Sequence, residues 1–224
     1  MPEVFSPQIL KLFWDSLGQT FYMVAISGLI GTLIGLPLGV FLATSQRGEL
    51  FAAPALNAAI GLVVNAARST PFIILVVAII PFTRLLTGTS IGTSAAIVPL
   101  TIAAAPFIAR IIEGAIRGVD QGLIEAARAM GASPFQIVRK VLLPESLPAV
   151  TLGLTLTVVS LIGYSAMVGA VGGGGLGDLG IRFGYQRFMP DVMLAVVLVL
   201  IVIVQGVQSL GDYLARRFDK RSRH

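Results

Sequence analysis

The chain has 224 residues, of which 55% are hydrophobic and only 12% are charged, with a formal net charge of +5. A soluble domain usually carries about 25% charged residues, so half that share, with apolar runs longer than about 18 residues, indicates an integral membrane protein. There is no cysteine and His224 is the only histidine, which excludes disulfides and thiolate sites and argues against an enzyme. The basic residues form no face interleaved with aromatic residues, so nucleic acid is not an expected partner.

Five apolar runs are long enough to cross about 30 Å of hydrocarbon as helices. They lie near residues 20–43, 56–82, 91–111, 147–168 and 189–210. Because backbone groups in lipid must be paired within their own segment, the predicted fold class is an all-α integral membrane protein with five transmembrane helices. We expect one transmembrane domain over residues 1–224. The first run is expected to be retained rather than removed as a signal peptide, since Glu3, Lys11 and Asp15 precede it instead of a basic cluster.

Small and polar residues mark the first two runs. Gly31, Gly35 and Gly39 recur on one helical face, so a neighbouring helix of the same chain, or of a second copy, can approach closely. Pro71 lacks an amide hydrogen and predicts a break in the second run. Arg68 lies near the middle of that run, where facing lipid would cost about 2.5–3.5 kcal/mol. It is expected to face water in a translocation pathway, or to pair structurally with freed carbonyl groups or an acidic side chain.

Residues 112–146 form the one long charged, amphipathic stretch. Asp120 is a candidate helix N-cap, Gly131 suits the left-handed residue after a helix, and Ser133-Pro134 suits the start of a second helix. We therefore expect two short helices around a glycine turn.

The first of these helices has an apolar row at helical spacing, and the second is expected to be separated from the fourth run by Pro144 and Pro148. The row comprises Leu123, Ala126, Ala127 and Met130. Composition alone also allows the pair to lie in the membrane interface.

Lysine and arginine are distributed unequally between the two alternating sets of connecting segments, eleven against four. The richer set holds Arg47, Arg110, Arg117, Arg128, Arg139, Lys140, Arg216, Arg217, Lys220, Arg221 and Arg223. The poorer set holds Lys11, Arg84, Arg182 and Arg187. Basic residues accumulate on the cytoplasmic side, so we expect residues 112–146 and the C-terminus inside the cell and the N-terminus outside.

The segment Leu161–Gly180 is predicted to pass from the end of the fourth helix into a glycine-rich external loop. Tyr164, Ser165 and Met167 lie near the outer end of that helix and are candidates for a gate. Simple packing also explains a methionine at this position.

The spacing in residues 125–144 resembles the coupling-loop signature of ABC importer permeases. Glu125-Ala126-Ala127 is followed after three residues by Gly131 and, after nine more, by Val141-Leu142-Leu143-Pro144, with Val141 in place of isoleucine as the only departure. The resemblance implies that the first short helix docks in a groove of a separate ATPase. It assigns ATPase coupling to Glu125, Ala126, Ala127, Gly131, Leu143 and Pro144.

Longer strings, among them RSTPFIIL from Arg68 and GYSAMVGAVGGGGLG ending at Gly177, resemble the methionine importer permeases within that family. The resemblance implies a homodimer in the bacterial inner membrane, working with two ATPase subunits and an extracytoplasmic substrate-binding lipoprotein to import methionine, in several members both enantiomers. ATP and Mg²⁺ are expected on the ATPase, because this chain has no G-x-x-x-x-G-K-S/T phosphate loop. No cofactor is expected on the permease itself.

Two alternatives stay open at this point. In the first alternative, the ABC importer carries another amino acid or a small organic anion, and Arg68 binds the carboxylate of that cargo. Otherwise the chain is an ATP-independent secondary carrier, although no internal repeat and no acidic residue in the middle of a run support this. In each case the pathway candidates are Arg68, Ser69, Tyr164, Ser165 and Met167.

Overall fold

A computed structural model describes residues 7–219, and within this range the chain is helical and has no β-strand, so the all-α prediction is confirmed. Glu3, Lys220, Arg221, Arg223 and His224 lie outside the described residues. The helices are α1 (Pro7–Thr44), α2 (Pro54–Ser69), α3 (Phe72–Ala78), α4 (Ile80–Thr87), α5 (Thr93–Arg117), α6 (Gln121–Ala129), α7 (Pro134–Ile137), α8 (Leu143–Val168), α9 (Gly175–Leu179) and α10 (Pro190–Phe218). Wider π-helical turns occupy Val138–Leu142 and Gly180–Tyr185, and the segment Gly169–Gly173 is interrupted by the non-helical backbone of Val171 and Gly172.

Four helical stretches in the described range are long and apolar enough to cross a bilayer: α1, α5, α10 and the stretch Pro134–Gly173, which contains α7 and α8. A fifth crossing results if α2 and α3, which meet at 103°, form one broken span. The break predicted at Pro71 is confirmed. Thr70 has an extended backbone with ψ of 125°, as the ring of a following proline favours.

Helices α1 and α5 form a close backbone contact in the core. Gly31, Gly35 and Gly39 are all buried along it. A Cβ atom added at Gly35 would lie 2.7 Å from the carbonyl oxygen of Ala105, and one at Gly39 would lie 2.5 Å from that of Ala109. The two backbones therefore touch, and the prediction that these glycines pack within one chain is confirmed.

Helix α5 lies at the centre of the molecule and is the most buried of the candidate spans, although Pro99 and Pro106 are both inside it. Helix α10 is the least buried and leaves a row of exposed apolar side chains at Leu198, Ile201 and Val202. Such a row suits a helix that faces lipid, whereas a helix buried all round belongs in the middle of the bundle.

The predicted separation at Pro144 and Pro148 is wrong, because α7, a π-helical turn and α8 form one continuous helix. Leu143 donates its amide to the carbonyl of Val138, five residues back. This wider turn lies directly before Pro144, which has no amide to donate and occupies the first turn of α8. The chain therefore absorbs the proline without a break.

The glycine-rich segment after α8 was predicted to be a loop, and this prediction is wrong: the segment forms a helical hairpin packed into the core. Leu176 and Leu179 of α9 are fully buried. The amide of Gly175 donates to Gln19 Oε1 at 2.8 Å, and the amide of Leu176 donates to Thr20 Oγ1 at 2.9 Å. Side chains of α1 thus satisfy the free amides at the start of α9, which lets this backbone be buried.

The glycine contact predicts a position-specific response to a single methyl group. Gly39→Ala should destabilise the protein by about 1–3 kcal/mol, because the methyl group overpacks the α1–α5 contact. Gly18→Ala is the matched control on the same helix, since no atom lies within 4 Å of the new Cβ. It should be neutral or slightly stabilising, because alanine is the better helix former. Thermal unfolding in detergent measures both, and equal midpoints would contradict the close contact.

Candidate functional site

Helix α6 is delimited at both ends by its own hydrogen bonds. Asp120 Oδ1 accepts from the amide of Gly122 at 2.8 Å and caps the start of the helix. Gly131 has φ of 77°, and the next amide, that of Ala132, donates to the carbonyl of Ala127 at 3.1 Å. This is the Schellman pattern that a left-handed glycine allows at a helix C-terminus.

Helix α7 begins with a reciprocal capping box. The amide of Ser133 donates to Gln136 Oε1 at 2.9 Å, and the amide of Gln136 donates to Ser133 Oγ at 3.3 Å. The predicted pair of short helices around a glycine turn is therefore confirmed. Local hydrogen bonds within residues 120–136 define both helices and the turn between them.

The apolar row predicted on α6 is divided between two faces. Ile124 and Ala127 are 8% and 4% exposed and pack onto the core together with Ile137 of α7. The outward face carries Leu123, Glu125, Ala126 and Met130. We name these four residues the docking face. It combines one carboxylate with apolar side chains, of which Met130 is 81% exposed.

The other predicted coupling residues lie beside this face or beneath it. Gly131 is exposed at the turn, whereas Leu143 and Pro144 are half-buried in the first turn of α8. Because Ala127 is buried within the chain, its methyl group supports α6 from below. Among the three residues of the Glu-Ala-Ala motif, Glu125 and Ala126 are the ones exposed.

An ion cluster that the sequence analysis did not predict lies at the end of α5, immediately before α6. Glu113 is 5% exposed; its Oε2 lies 2.5 Å from Nη1 of Arg110 and its Oε1 lies 2.6 Å from Nη2 of Arg117. Arg110 also donates to the carbonyl of Gly61 in α2 at 3.0 Å, and Arg117 donates to that of Leu42 in α1 at 3.4 Å. We call Arg110, Glu113 and Arg117 the Glu113 clamp. It joins three helices at the point where the chain leaves α5 for α6.

The spacing of the clamp was visible in the sequence. Arginine, glutamate and arginine at positions 110, 113 and 117 fall on one helical face. The arginines were counted only as evidence of orientation, so their pairing was missed.

A cavity of about 150 Å³ lies between α2, α3, α5 and α8, and two of the predicted pathway residues, Arg68 and Tyr164, line it. The rings of Phe72 and Tyr164 are stacked, with centroids 4.4 Å apart. The guanidinium carbon of Arg68 lies 5.7 Å from the centroid of the Phe107 ring. We call this space the Arg68 cavity.

Three other predicted pathway residues lie outside that cavity. The Ser69 hydroxyl is exposed and donates to the carbonyl of Asn65 at 2.9 Å. The Ser165 hydroxyl is buried and donates to the carbonyl of Ile162 at 2.7 Å. Met167 is 47% exposed on the last turn of α8. The structure therefore brings Arg68 and Tyr164 together but not the other three.

Known proteins resemble this chain over most of its length. A family model described as the binding-protein-dependent transport system inner membrane component matches residues 35–224. The "Probable D-methionine transport system permease protein MetI" of Vibrio cholerae is 57% identical over 203 residues, which are 91% of this chain and 90% of the relative. The D-methionine transport system permease protein MetI of Escherichia coli K12 is 53% identical over 161 residues, 72% of each chain.

Solved structures share the fold. A chain of the MetNI methionine ABC transporter, in an inward-facing conformation, matches with a TM-score of 0.94 at 48% identity and covers 96% of this chain and 100% of its own length. A chain of an amino acid ABC transporter crystallised with histidines matches with a TM-score of 0.78 at 21% identity and covers 94% and 95%. The second likeness is one of fold alone.

The Glu113 clamp predicts a large effect of removing one charge. Glu113→Gln should destabilise the protein by about 3 kcal/mol, at the low end for a broken buried pair because Arg110 and Arg117 keep part of their surface exposed. The matched control is Asp178→Asn, which removes the partner of Arg182, whose side chain is 57% exposed. That change should cost at most about 1 kcal/mol. Thermal unfolding compares the two variants. Equal losses of stability would show that the Glu113 clamp stabilises the protein no more than an exposed ion pair does.

Proposed function

The chain belongs to the family of binding-protein-dependent transport system inner membrane components, and from that membership we propose that it is the permease subunit of an ATP-driven methionine importer. It is a multi-pass protein of the bacterial cytoplasmic membrane. Methionine as cargo is supported by relatives up to 57% identical over nine-tenths of the chain, whose names specify D-methionine transport. The matching solved structure is that of a methionine ABC transporter, and our proposal includes both enantiomers.

The observation that carries the proposal is the docking face of α6. A helix capped at both ends presents Glu125 and Ala126 to the exterior, on a support formed by Ile124 and Ala127. A partner bound here would contact a rigid helix rather than a flexible loop. Because the Glu113 clamp ends at Arg117, three residues before Asp120, a force on α6 would reach α1, α2 and α5 directly.

The partners follow from this surface and from the family. A second copy of the chain would complete the membrane unit, and two ATPase subunits would bind the two docking faces. ATP and Mg²⁺ would bind those ATPase subunits, and the permease itself would need no cofactor. A substrate-binding lipoprotein on the outer side would deliver methionine. The work of ATP enters the permease only if the ATPase binds the inward-open and outward-open states with different affinity.

We propose five crossings, with α2 and α3 forming one broken span, the N-terminus outside and the docking face in the cytoplasm. The excess of lysine and arginine on the docking-face side supports this orientation. Arg68, Ser69, Tyr164, Ser165 and Met167 remain our candidates for the pathway or its gate. Arg68 and Tyr164 are favoured because they share a cavity.

Uptake of labelled methionine tests the proposed function. Cells that carry this chain with its ATPase and binding protein should accumulate the label. Glu125→Lys should reduce uptake at least about tenfold, because reversing a charge in a docking surface costs several kcal/mol. Glu49→Lys is the control, since Glu49 is an exposed acidic residue in the segment between α1 and α2, which we place on the same side of the membrane. Full uptake by the Glu125→Lys variant would refute the coupling role.

The cargo is tested in the same cells by competition. An excess of unlabelled methionine should suppress uptake more strongly than an equal excess of any other amino acid or small organic anion. If another compound competes better, the chain carries that compound instead. If purified permease moves methionine in vesicles without the ATPase, it is a secondary carrier.

The proposed orientation predicts opposite labelling of two single cysteines, which is simple to test because the chain has none. Gln46→Cys and Gln186→Cys both place a thiol at an exposed position between helices. A membrane-impermeant maleimide added to spheroplasts should label the second and not the first. Inside-out vesicles should give the reverse pattern. The opposite result would invert the topology.

A further inference from the structure

We propose that the Arg68 cavity is a binding site, within the permease itself, for the charged backbone of a free neutral amino acid. The inference rests on the proposed function, because it concerns the same transported cargo. The inference specifies the place in the membrane region where the cargo binds and the groups that bind it. The cavity is about 150 Å³, well below the roughly 300–1,000 Å³ of pockets for drug-sized ligands, so it suits one small metabolite.

Arg68 supplies the site for a carboxylate. Among residues 7–219 it forms no ion pair, and no acidic side chain of that range lines the cavity. The ring of Phe107 lies beside its guanidinium without occupying any hydrogen-bond donor. Arg110 and Arg117 differ sharply, because both have donors committed to Glu113 and to backbone carbonyls. Arg68 is thus a cation with free donors in a cavity.

Two hydroxyl groups of α8 supply acceptors for an ammonium group. Thr157 donates its proton to the carbonyl of Gly153 and Ser160 donates its proton to that of Leu156, each at 2.9 Å. A hydroxyl has one proton and two lone pairs, so an oxygen whose proton is committed can only accept further hydrogen bonds. Both residues line the cavity from a different helix than Arg68. The cavity thus offers donors from α2 and acceptors from α8, as a zwitterion requires.

The rest of the cavity selects the side chain of the amino acid. Phe72, Leu75, Leu161 and Tyr164 provide apolar and aromatic surface. With no acidic residue in the lining, a lysine or arginine side chain would find no partner for its charge, and the charge of Arg68 would repel it. Neutral, largely apolar amino acids are therefore the class that fits, and methionine belongs to it.

The test pairs a change in the protein with the matching change in the ligand. The purified complex of the permease and its ATPase in lipid nanodiscs is titrated with L-methionine and with methioninol, which lacks the carboxylate. Binding to the ATPase alone is subtracted. Arg68→Gln should weaken the binding of L-methionine at least about tenfold, which is the range for loss of a hydrogen bond to a charged group. It should weaken the binding of methioninol less than about twofold. Ser160→Ala should weaken the binding of L-methionine about threefold. It should not change the binding of N-acetylmethionine, which has no ammonium group.

Matched controls remove the same kinds of group outside the cavity. Arg84→Gln changes an arginine of α4 that donates to Ser90 outside the cavity, and Thr151→Ala removes a hydroxyl of α8 that also donates to a carbonyl four residues back. Neither should alter binding of either ligand. Arg68→Lys keeps the charge but not the planar fork, and it should give a smaller loss that is still selective for L-methionine. Arg68→Lys replaces Arg68→Gln in the test if the Arg68→Gln permease does not assemble with the ATPase.

The outcomes separate this proposal from the proposed function. If Arg68→Gln leaves L-methionine binding unchanged, or weakens both ligands equally, the cavity proposal is wrong. Uptake of labelled methionine by the wild type would then still support the importer. If the wild type imports no methionine but binds another neutral amino acid in a manner that depends on Arg68, the cavity stands and the cargo assignment fails.

Discussion

The backbone contact between α1 and α5 is the constraint on which the rest of the structure depends. Only glycine permits it at positions 35 and 39, where a Cβ atom would meet carbonyl oxygens of α5 at 2.7 Å and 2.5 Å. The contact brings Leu42, farther along α1, within reach of Arg117 at the end of α5. The packing of small residues thereby makes possible the polar cluster that follows it.

The Glu113 clamp converts this packing into a mechanical connection. On one side of the clamp the chain enters α6 and its docking face, and on another side Arg110 holds the carbonyl of Gly61 in α2. Arg68 lies on the same helix, about 10 Å farther along at 1.5 Å per residue. In the proposed importer, a displacement of α6 by the ATPase would reach the wall of the Arg68 cavity through one ion cluster and two turns of helix. A buried carboxylate held by two arginines suits this role, because removing either charge is costly.

The sequence predicted those features that depend on local chemistry. Apolar runs predicted the long helices, Pro71 predicted the break, and Asp120, Gly131 and Ser133 predicted the ends of α6 and α7. It failed where the outcome depends on an irregular helical turn or on tertiary contacts. Pro144 is absorbed by a π-helical turn, the glycine-rich segment is buried because Gln19 and Thr20 satisfy its amides, and Ala127 turns inward while Ala126 does not.

The two kinds of arginine in the molecule show how a transporter can place charge in its membrane region without losing stability. Arg110 and Arg117 are each paired with Glu113 and with a backbone carbonyl of a neighbouring helix. Arg68 is exposed beside an aromatic ring, and the hydroxyls of Thr157 and Ser160, which line the same cavity, already donate to their own helix. An empty Arg68 cavity therefore leaves none of these hydroxyl protons unpaired. A ligand adds interactions to groups that were already stable, and its release returns them to that state, which is what a site must allow if it binds cargo only in passing.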